Sequence, residues 1–190
     1  MPSVDHTAPP LTVPNLITSG RLVLGPAAAW ALFESAYSLA AWCFIVASIS
    51  DWLDGYLARR WNQTSRLGAL LDPIADKLMT FCIVVVLAWT YHIPMEVGMI
   101  LVARDALIMG AAVSSWRLTG KLEFPPSKLG KLHTAVVFTV MSVVIAQMAG
   151  WLKLGDLLPA LFTAPVVTAV LSGVHYLWIY TRARRRHLAA

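Results

Sequence analysis

Four aspartates stand close together in an otherwise apolar chain: Asp51, Asp54, Asp72 and Asp76. The first pair is three residues apart and the second pair four, so each pair lies on one face of a helix. Two such helices, joined by a short loop and packed antiparallel, would bring all four carboxylates to one centre. A carboxylate inside a membrane costs about 2.5 to 3.5 kcal/mol, and neighbouring carboxylates repel one another unless cations lie between them. The pattern therefore predicts a divalent-metal site at a membrane surface.

The residue types in and around the aspartate cluster indicate which metal and which class of ligand it would bind. Carboxylate oxygens suit Mg²⁺ or Mn²⁺, and the cluster holds no His or Cys that would favour zinc. Gly55, Ala58 and Gly68 are small enough to permit close helix approach or to leave a floor for a flat ligand. Arg59 adds a fixed cation that can hold phosphate oxygens bidentately. We therefore expect a metal site that binds a phosphate-bearing ligand.

The complete motif runs Asp-x2-Asp-Gly-x2-Ala-Arg-x8-Gly-x3-Asp-x3-Asp from Asp51 to Asp76. It resembles the signature of the CDP-alcohol phosphotransferases at all eight fixed positions. The stretch from Pro14 to Arg21 resembles the amphipathic N-terminal helix of that family, and the stretch from Leu71 to Lys77 resembles its bacterial phosphatidylglycerolphosphate and cardiolipin synthase branches. The resemblance implies a membrane enzyme that transfers the phosphatidyl group of CDP-diacylglycerol to an acceptor hydroxyl and releases CMP.

The resemblance also implies roles for individual residues. Asp51, Asp54 and Asp72 would be metal ligands, and Asp76 would be the catalytic base and a partial ligand. Two Mg²⁺ or Mn²⁺ ions would bridge the pyrophosphate of the substrate. The positions that match CDP contacts in the family are Gly55, Ala58, Arg59, Ser65, Gly68, Asn15 and Thr18.

The acceptor is less closely defined by the sequence. Arg104 and Lys131 match positions that line the acceptor pocket in the family. Arg104 has an alternative role as a structural partner of Asp105, and Lys131 has one as a charge that sets topology. Glycerol-3-phosphate enzymes of the family commonly carry more cations here, where this chain has Ala112 and a single lysine. This difference favours phosphatidylglycerol as the acceptor, with glycerol-3-phosphate as the alternative.

Composition independently predicts an all-α, polytopic membrane protein. Of 190 residues, 58% are hydrophobic and 13% are charged, and the mean hydropathy is +0.66, which is too apolar for a soluble domain of this size. A span needs about 20 apolar residues, so we expect about six transmembrane helices, the first with an amphipathic start. The predicted spans are Leu16 to Phe33, Tyr37 to Leu57, Leu67 to Tyr91, Met95 to Trp116, Leu129 to Gly150 and Leu157 to Tyr180.

The predicted transmembrane domain covers residues 13–181, between a disordered N-terminal tail (1–12) and a basic C-terminal tail (182–190). Basic residues gather after the second, fourth and sixth spans. By the positive-inside rule, both termini and the aspartates face the cytoplasm from the cell (inner) membrane. The net charge of +5 then reflects topology and attraction to anionic membrane lipids rather than nucleic-acid binding.

Two alternatives remain at this level. Membrane aspartates also serve as proton or cation relays in transporters, although a relay does not require small residues and an arginine at fixed offsets. A homodimer is also left open. Cys43 and Cys82 fall within apolar spans and are expected to be inert packing residues.

Overall fold

The computed structural model describes the backbone of residues 13–60, 66–119 and 127–188. Side chains are described for residues 17–51, 53, 60, 74–111, 113–114 and 127–182. Every regular element within these ranges is helical. The described part of the chain therefore has the all-α class that the sequence predicts.

Within the described backbone, six long helices occupy the six predicted apolar stretches. They are α1 (Val13–Phe33), α2 (Tyr37–Arg60), α3 (Arg66–Trp89), α4 (Met95–Thr119), α5 (Lys128–Met148) and α7 (Thr163–Leu188). The start of the predicted sixth span, Leu157 to Tyr180, forms a 3₁₀ turn (Gly155–Leu157) and the short helix α6 (Leu158–Leu161) before α7 begins. Pro159 and Pro165 explain this division, because proline fits the first turn of a helix and disrupts its interior.

A tight turn joins α1 to α2. Ser35 has a φ of +60°, and its N–H donates to the Leu32 carbonyl at 3.1 Å while the Ala36 N–H donates to the Ala31 carbonyl at 2.8 Å. This pair of hydrogen bonds is a Schellman motif, which satisfies carbonyls at the end of α1. The short connection makes α1 and α2 direct neighbours.

The contacts divide the chain into two compact units. The first comprises Met1–Thr90 and Ile145–Leu152, and within it α1 packs against both α2 and α3. The second comprises Tyr91–Val144 and Lys153–Ala190, and within it α4 packs against α7. Each candidate site described below lies within one of these units.

Small side chains fill the contacts of α1 with its neighbours. The buried alanines of the three helices of the first unit are Ala28, Ala29, Ala31, Ala40, Ala41, Ala47, Ala75 and Ala88, each at most 5% exposed. Larger buried residues such as Leu32, Ile83 and Leu87 complete this core. Small residues let helix backbones approach closely, which is the common way that helices associate in membranes.

Two helical stretches within the described residues are long and apolar enough to cross a membrane: Lys128–Met148 and Gly155–Arg182, with hydropathies of 1.8 and 1.9. Shorter apolar helices cover Ile17–Phe33 and Tyr37–Asp51. The six helices that the sequence predicts are therefore present. Two of them have a described stretch with the length and hydropathy of a membrane span. In each of α1 to α4 the described side chains cover only part of the helix, and the described stretches Ile17–Phe33 and Tyr37–Asp51 are shorter than a span.

Large apolar side chains also cover much of the exterior of the described helices. Val23, Trp30, Trp89 and Val174 are each between 62% and 69% exposed. Extended apolar surface is unusual for a soluble monomer and is typical of helices that face lipid.

Candidate active site

A buried arginine links the two halves of the aspartate motif. Arg21 is the single charged residue of α1 and is 1% exposed. Its Nη1 donates to Oδ1 of Asp51, on α2, and to Oδ1 of Asp76, on α3, at 2.8 Å for the second bond. The first and last aspartates of the motif therefore lie on either side of one guanidinium nitrogen.

The two carboxylates lie at the edge of this buried contact. The side chains of Asp51 and Asp76 are 45% and 49% exposed, whereas that of Arg21 is 1% exposed. The arginine thus reaches the carboxylates from the interior of the helix packing. The carboxylates, in turn, extend to the surface, where a cationic or metal-bound ligand can approach them.

Close packing of α1 on α3 makes this contact geometrically possible. One turn beyond Arg21, Gly25 meets α3 so closely that a Cβ atom at Gly25 would lie 3.0 Å from the Cα and Cβ atoms of Met79. Met79 in turn lies one turn beyond Asp76 on the same helix. Ala75, beside Asp76, is also buried, at 1% exposed. The small residues therefore bring the backbone of α1 within reach of the second motif half.

Several predicted site residues have side chains outside the described part of the chain. Asp54, Gly55, Ala58 and Arg59 lie on α2, Gly68 and Asp72 lie on α3, Asn15 lies on α1, and Ser65 lies outside the described backbone. Thr18, predicted to contact CDP, is 3% exposed and lies one turn before Arg21 on the same face of α1. Its predicted contact with CDP stays a prediction.

Two of the four aspartates of the predicted metal centre have described side chains. Among the described side chains, no group of three or more His, Cys, Asp or Glu residues gathers to hold a metal. The Asp54 and Asp72 side chains, which form the other half of the predicted four-carboxylate centre, lie outside this described set. The described half does converge, because Asp51 and Asp76 contact the same atom.

The predicted acceptor residues lie in the second unit. Arg104, 8% exposed on α4, donates from Nη1 to Asp105 Oδ1 at 2.6 Å and from Nε to Ser172 Oγ on α7 at 3.0 Å. Its guanidinium carbon also lies 5.9 Å from the ring centroid of Tyr176, within the range of a cation–π interaction. Contacts within α4 and to α7 therefore orient Arg104. This arrangement fits both a binding role and a structural one.

Lys131 lies near the start of α5 and is exposed. The helix start around it is fixed by Ser127, whose Oγ accepts a 2.9 Å hydrogen bond from the Gly130 N–H. Tyr176 Oη accepts a hydrogen bond from the Ser127 N–H at 3.2 Å. The same tyrosine therefore contacts the Arg104 guanidinium and the N-terminus of the helix that carries Lys131.

Sequence reasoning missed several of these partners. It used Arg21 only as the end of an N-terminal resemblance, although a lone cation in a 21-residue apolar helix is itself a signal of a buried ionic contact. It also did not single out Ser172 or Tyr176. No local signal identifies them, because Ser172 lies 68 residues from Arg104 in the chain.

Comparison with known proteins assigns the chain to a class. Residues 11–181 match the family model of the CDP-alcohol phosphatidyltransferases, and the chain belongs to this family. It is 34% identical over 152 residues to a cardiolipin synthase (CMP-forming) of Streptomyces coelicolor, covering 75% of this chain and 69% of the relative. It is 31% identical over 175 residues to a CDP-diacylglycerol–glycerol-3-phosphate 3-phosphatidyltransferase of Salmonella typhimurium, covering 87% and 92% respectively.

A third relative, a probable cardiolipin synthase (CMP-forming) of Drosophila melanogaster, is 39% identical over 144 residues. That match covers 66% of this chain and 44% of the relative. The relatives thus carry both of the acceptor activities that the sequence left open, and the family predicted from the motif is confirmed.

Proposed function

We propose that this chain is an integral-membrane phosphatidyltransferase of glycerophospholipid synthesis. It transfers the phosphatidyl group of CDP-diacylglycerol to an acceptor hydroxyl and releases CMP. Membership of the CDP-alcohol phosphatidyltransferase family over residues 11–181 supports this reaction. The match of the chain to all eight fixed motif positions supports it at the level of individual residues.

The observation that carries the proposal is the convergence of Asp51 and Asp76 on Arg21 Nη1. Two carboxylates that contact one atom are close enough to share one cation, and both are about half exposed. Asp54 and Asp72 lie one turn away on the same two helices. This all-oxygen donor set fits Mg²⁺ or Mn²⁺, and four carboxylates fit two ions, with Asp51, Asp54 and Asp72 as ligands and Asp76 as a partial one.

The protein groups then perform a single displacement. Asp76 accepts the proton of the acceptor hydroxyl as that oxygen forms a bond to the phosphorus that carries the diacylglycerol. The bond from this phosphorus to the oxygen shared with CMP breaks, and CMP leaves with the electron pair. The bound metal ions would offset the negative charge on the pyrophosphate and on the departing CMP. The residues proposed to hold CDP are Gly55, Ala58, Arg59, Ser65, Gly68, Asn15 and Thr18.

The favoured acceptor is phosphatidylglycerol, which would make the product cardiolipin. The small number of cations at the positions of Arg104, Ala112 and Lys131 supports this choice, because a phosphomonoester dianion needs more positive charge than a phosphodiester. Glycerol-3-phosphate is the second candidate. It is favoured by the Salmonella typhimurium relative, 92% of whose length the chain covers.

The proposed enzyme lies in the cell (inner) membrane with about six spans and the aspartates at the cytoplasmic face. The apolar exterior and the two long apolar stretches support the membrane location. The clusters of basic residues beside the aspartates and at the C-terminal end of α7 support the orientation.

Purified protein in detergent with CDP-diacylglycerol, Mn²⁺ and one labelled acceptor at a time tests the reaction. We expect release of CMP in proportion to labelled product, loss of both after chelation, and recovery when Mn²⁺ or Mg²⁺ is restored. Comparable CMP release from a metal-free preparation would contradict the metal chemistry. Failure to consume CDP-diacylglycerol with any acceptor would contradict the enzyme and favour a transporter.

A further inference from the structure

The buried Arg21 has no part in the displacement described above, yet it contacts both halves of the motif. It comes from α1, whereas the signature lies entirely on α2, α3 and the loop between them. Its Nη1 has two hydrogens and donates to Oδ1 of Asp51 and to Oδ1 of Asp76. One side chain therefore fixes the distance between a proposed metal ligand and the proposed base.

Burial makes this contact energetically demanding. An arginine that is 1% exposed loses nearly all its hydration, and this loss is offset only by well-placed charged partners. The close approach of Gly25 to Met79 at 3.0 Å holds the backbone of α1 near α3. The position of Arg21 is therefore set by helix packing, and the two carboxylates are drawn to it.

Arg21 and the two carboxylates that it contacts differ strongly in exposure. Arg21 meets the carboxylates from the buried side, whereas Asp51 and Asp76 are 45% and 49% exposed on the other. A cation that approaches from the surface would meet carboxylates that Arg21 already orients from the buried side. Groups that orient metal ligands in this way commonly change metal affinity by about 10-fold to 100-fold when they are removed.

We propose that Arg21 is a positioning residue that holds Asp51 and Asp76 in register for a shared divalent ion. The inference rests on the proposed function, because it takes these carboxylates as the metal-binding groups. Arg21 does not contact the reacting atoms. It preorganises the two motif halves from α1. Its loss therefore weakens metal binding and leaves the rate at saturating metal close to its original value.

Mn²⁺ binding to purified protein in detergent tests this role, with free Mn²⁺ measured by electron paramagnetic resonance. We expect the Kd for Mn²⁺ to rise by about 10-fold to 100-fold in Arg21→Gln. Arg21→Lys keeps the charge but lacks the planar fork, so we expect a smaller rise. Arg182→Gln is the matched control, because it removes one charge from an exposed arginine that stacks on Trp178, and it should bind Mn²⁺ like the wild type.

Kinetics give a second readout that a purely structural role would not produce. In Arg21→Lys, the Mn²⁺ concentration for half-maximal rate should rise together with the Kd, and kcat at saturating Mn²⁺ should stay close to the wild-type value. If Arg21→Gln does not fold, Arg21→Lys alone decides the question. Unchanged Mn²⁺ affinity in the folded variants would overturn the proposal.

Tighter Mn²⁺ binding in either variant would also overturn the proposal, since it would show that Arg21 competes with the metal. A wild-type protein that binds no Mn²⁺ and turns over without metal would instead overturn the proposed metal chemistry, and the inference with it. Wild-type binding with no difference in the Arg21 variants refutes the inference alone.

Discussion

Gly25 of α1 lies against Met79 of α3 so closely that a Cβ atom on the glycine would come within 3.0 Å of the Met79 Cα. The contact lies one turn beyond the bridge from Arg21 to Asp76 on both helices. Backbone atoms cannot move aside as the end of a flexible side chain can. An added Cβ therefore requires Met79 to move by a few tenths of an ångström, and because part of this contact is backbone, the strain falls on the packing of α1 against α3.

Gly25→Ala should destabilise the protein by about 1 to 3 kcal/mol, the usual cost of overpacking, and should raise the Kd for Mn²⁺. Gly20→Ala is the matched control, because it lies in the same helix with nothing within 4 Å of its added Cβ. The control should be neutral or stabilising by up to about 1 kcal/mol through helix propensity. Thermal unfolding in detergent measures both effects, and equal stability of the two variants would contradict the close contact.

The helices could be predicted from the sequence more readily than the contacts between them. Apolar runs and the spacing of Asp51 with Asp54 and of Asp72 with Asp76 predict helices and faces, because both depend on local periodicity. The meeting of Arg21 with Asp51 depends on how α1 packs on α2, which no single helix encodes. The bonding of Arg104 to Ser172 is of the same kind.

Asp76→Asn should lower kcat by about 100-fold to 10,000-fold, the usual contribution of a general base, and should largely spare CDP-diacylglycerol binding. Asparagine keeps an oxygen that can accept the Arg21 hydrogen bond but cannot take a proton from the acceptor. Asp51→Asn, by contrast, should weaken metal-dependent nucleotide binding in addition to lowering transfer.

The control for this pair is Asp156→Asn, the same chemical change at an exposed position in the 3₁₀ turn, which should leave transfer unchanged. Labelled CDP-diacylglycerol binding and CMP release, measured side by side, separate the two roles. Equal loss of binding in the Asp76 and Asp51 variants would show that Asp76 acts chiefly as a metal ligand.

The cytoplasmic orientation predicts the reactivity of two introduced cysteines. In a background with Cys43 and Cys82 replaced by alanine, Gln63→Cys lies between the motif halves and Lys153→Cys lies in the segment after α5. An impermeant maleimide should label position 153 in intact cells and position 63 only after the cytoplasmic face is opened. The reverse pattern would contradict the topology and with it the route of the substrate.

The acceptor prediction concerns Arg104 and the serine that orients it. Arg104→Gln should raise the acceptor KM by about 10-fold to 100-fold, because one charge-assisted hydrogen bond contributes about 1.5 to 3 kcal/mol. CDP-diacylglycerol binding should stay near normal. Ser172→Ala should raise the same KM by a smaller factor, since it removes the 3.0 Å bond from Arg104 Nε but keeps the guanidinium. Lys131→Gln should resemble Arg104→Gln if the exposed lysine also meets the acceptor phosphate.

Ser142→Ala provides the matched control, because its hydroxyl donates to the Phe138 carbonyl of its own helix, at 2.7 Å. Assays with phosphatidylglycerol and with glycerol-3-phosphate, run on each variant, identify the acceptor and the residues that bind it together. A KM effect confined to phosphatidylglycerol would support a cardiolipin product, and one confined to glycerol-3-phosphate would support phosphatidylglycerolphosphate. If neither KM changes in any variant, then Arg104, Asp105 and Ser172 form a structural cluster that joins α4 to α7, and the acceptor binds elsewhere.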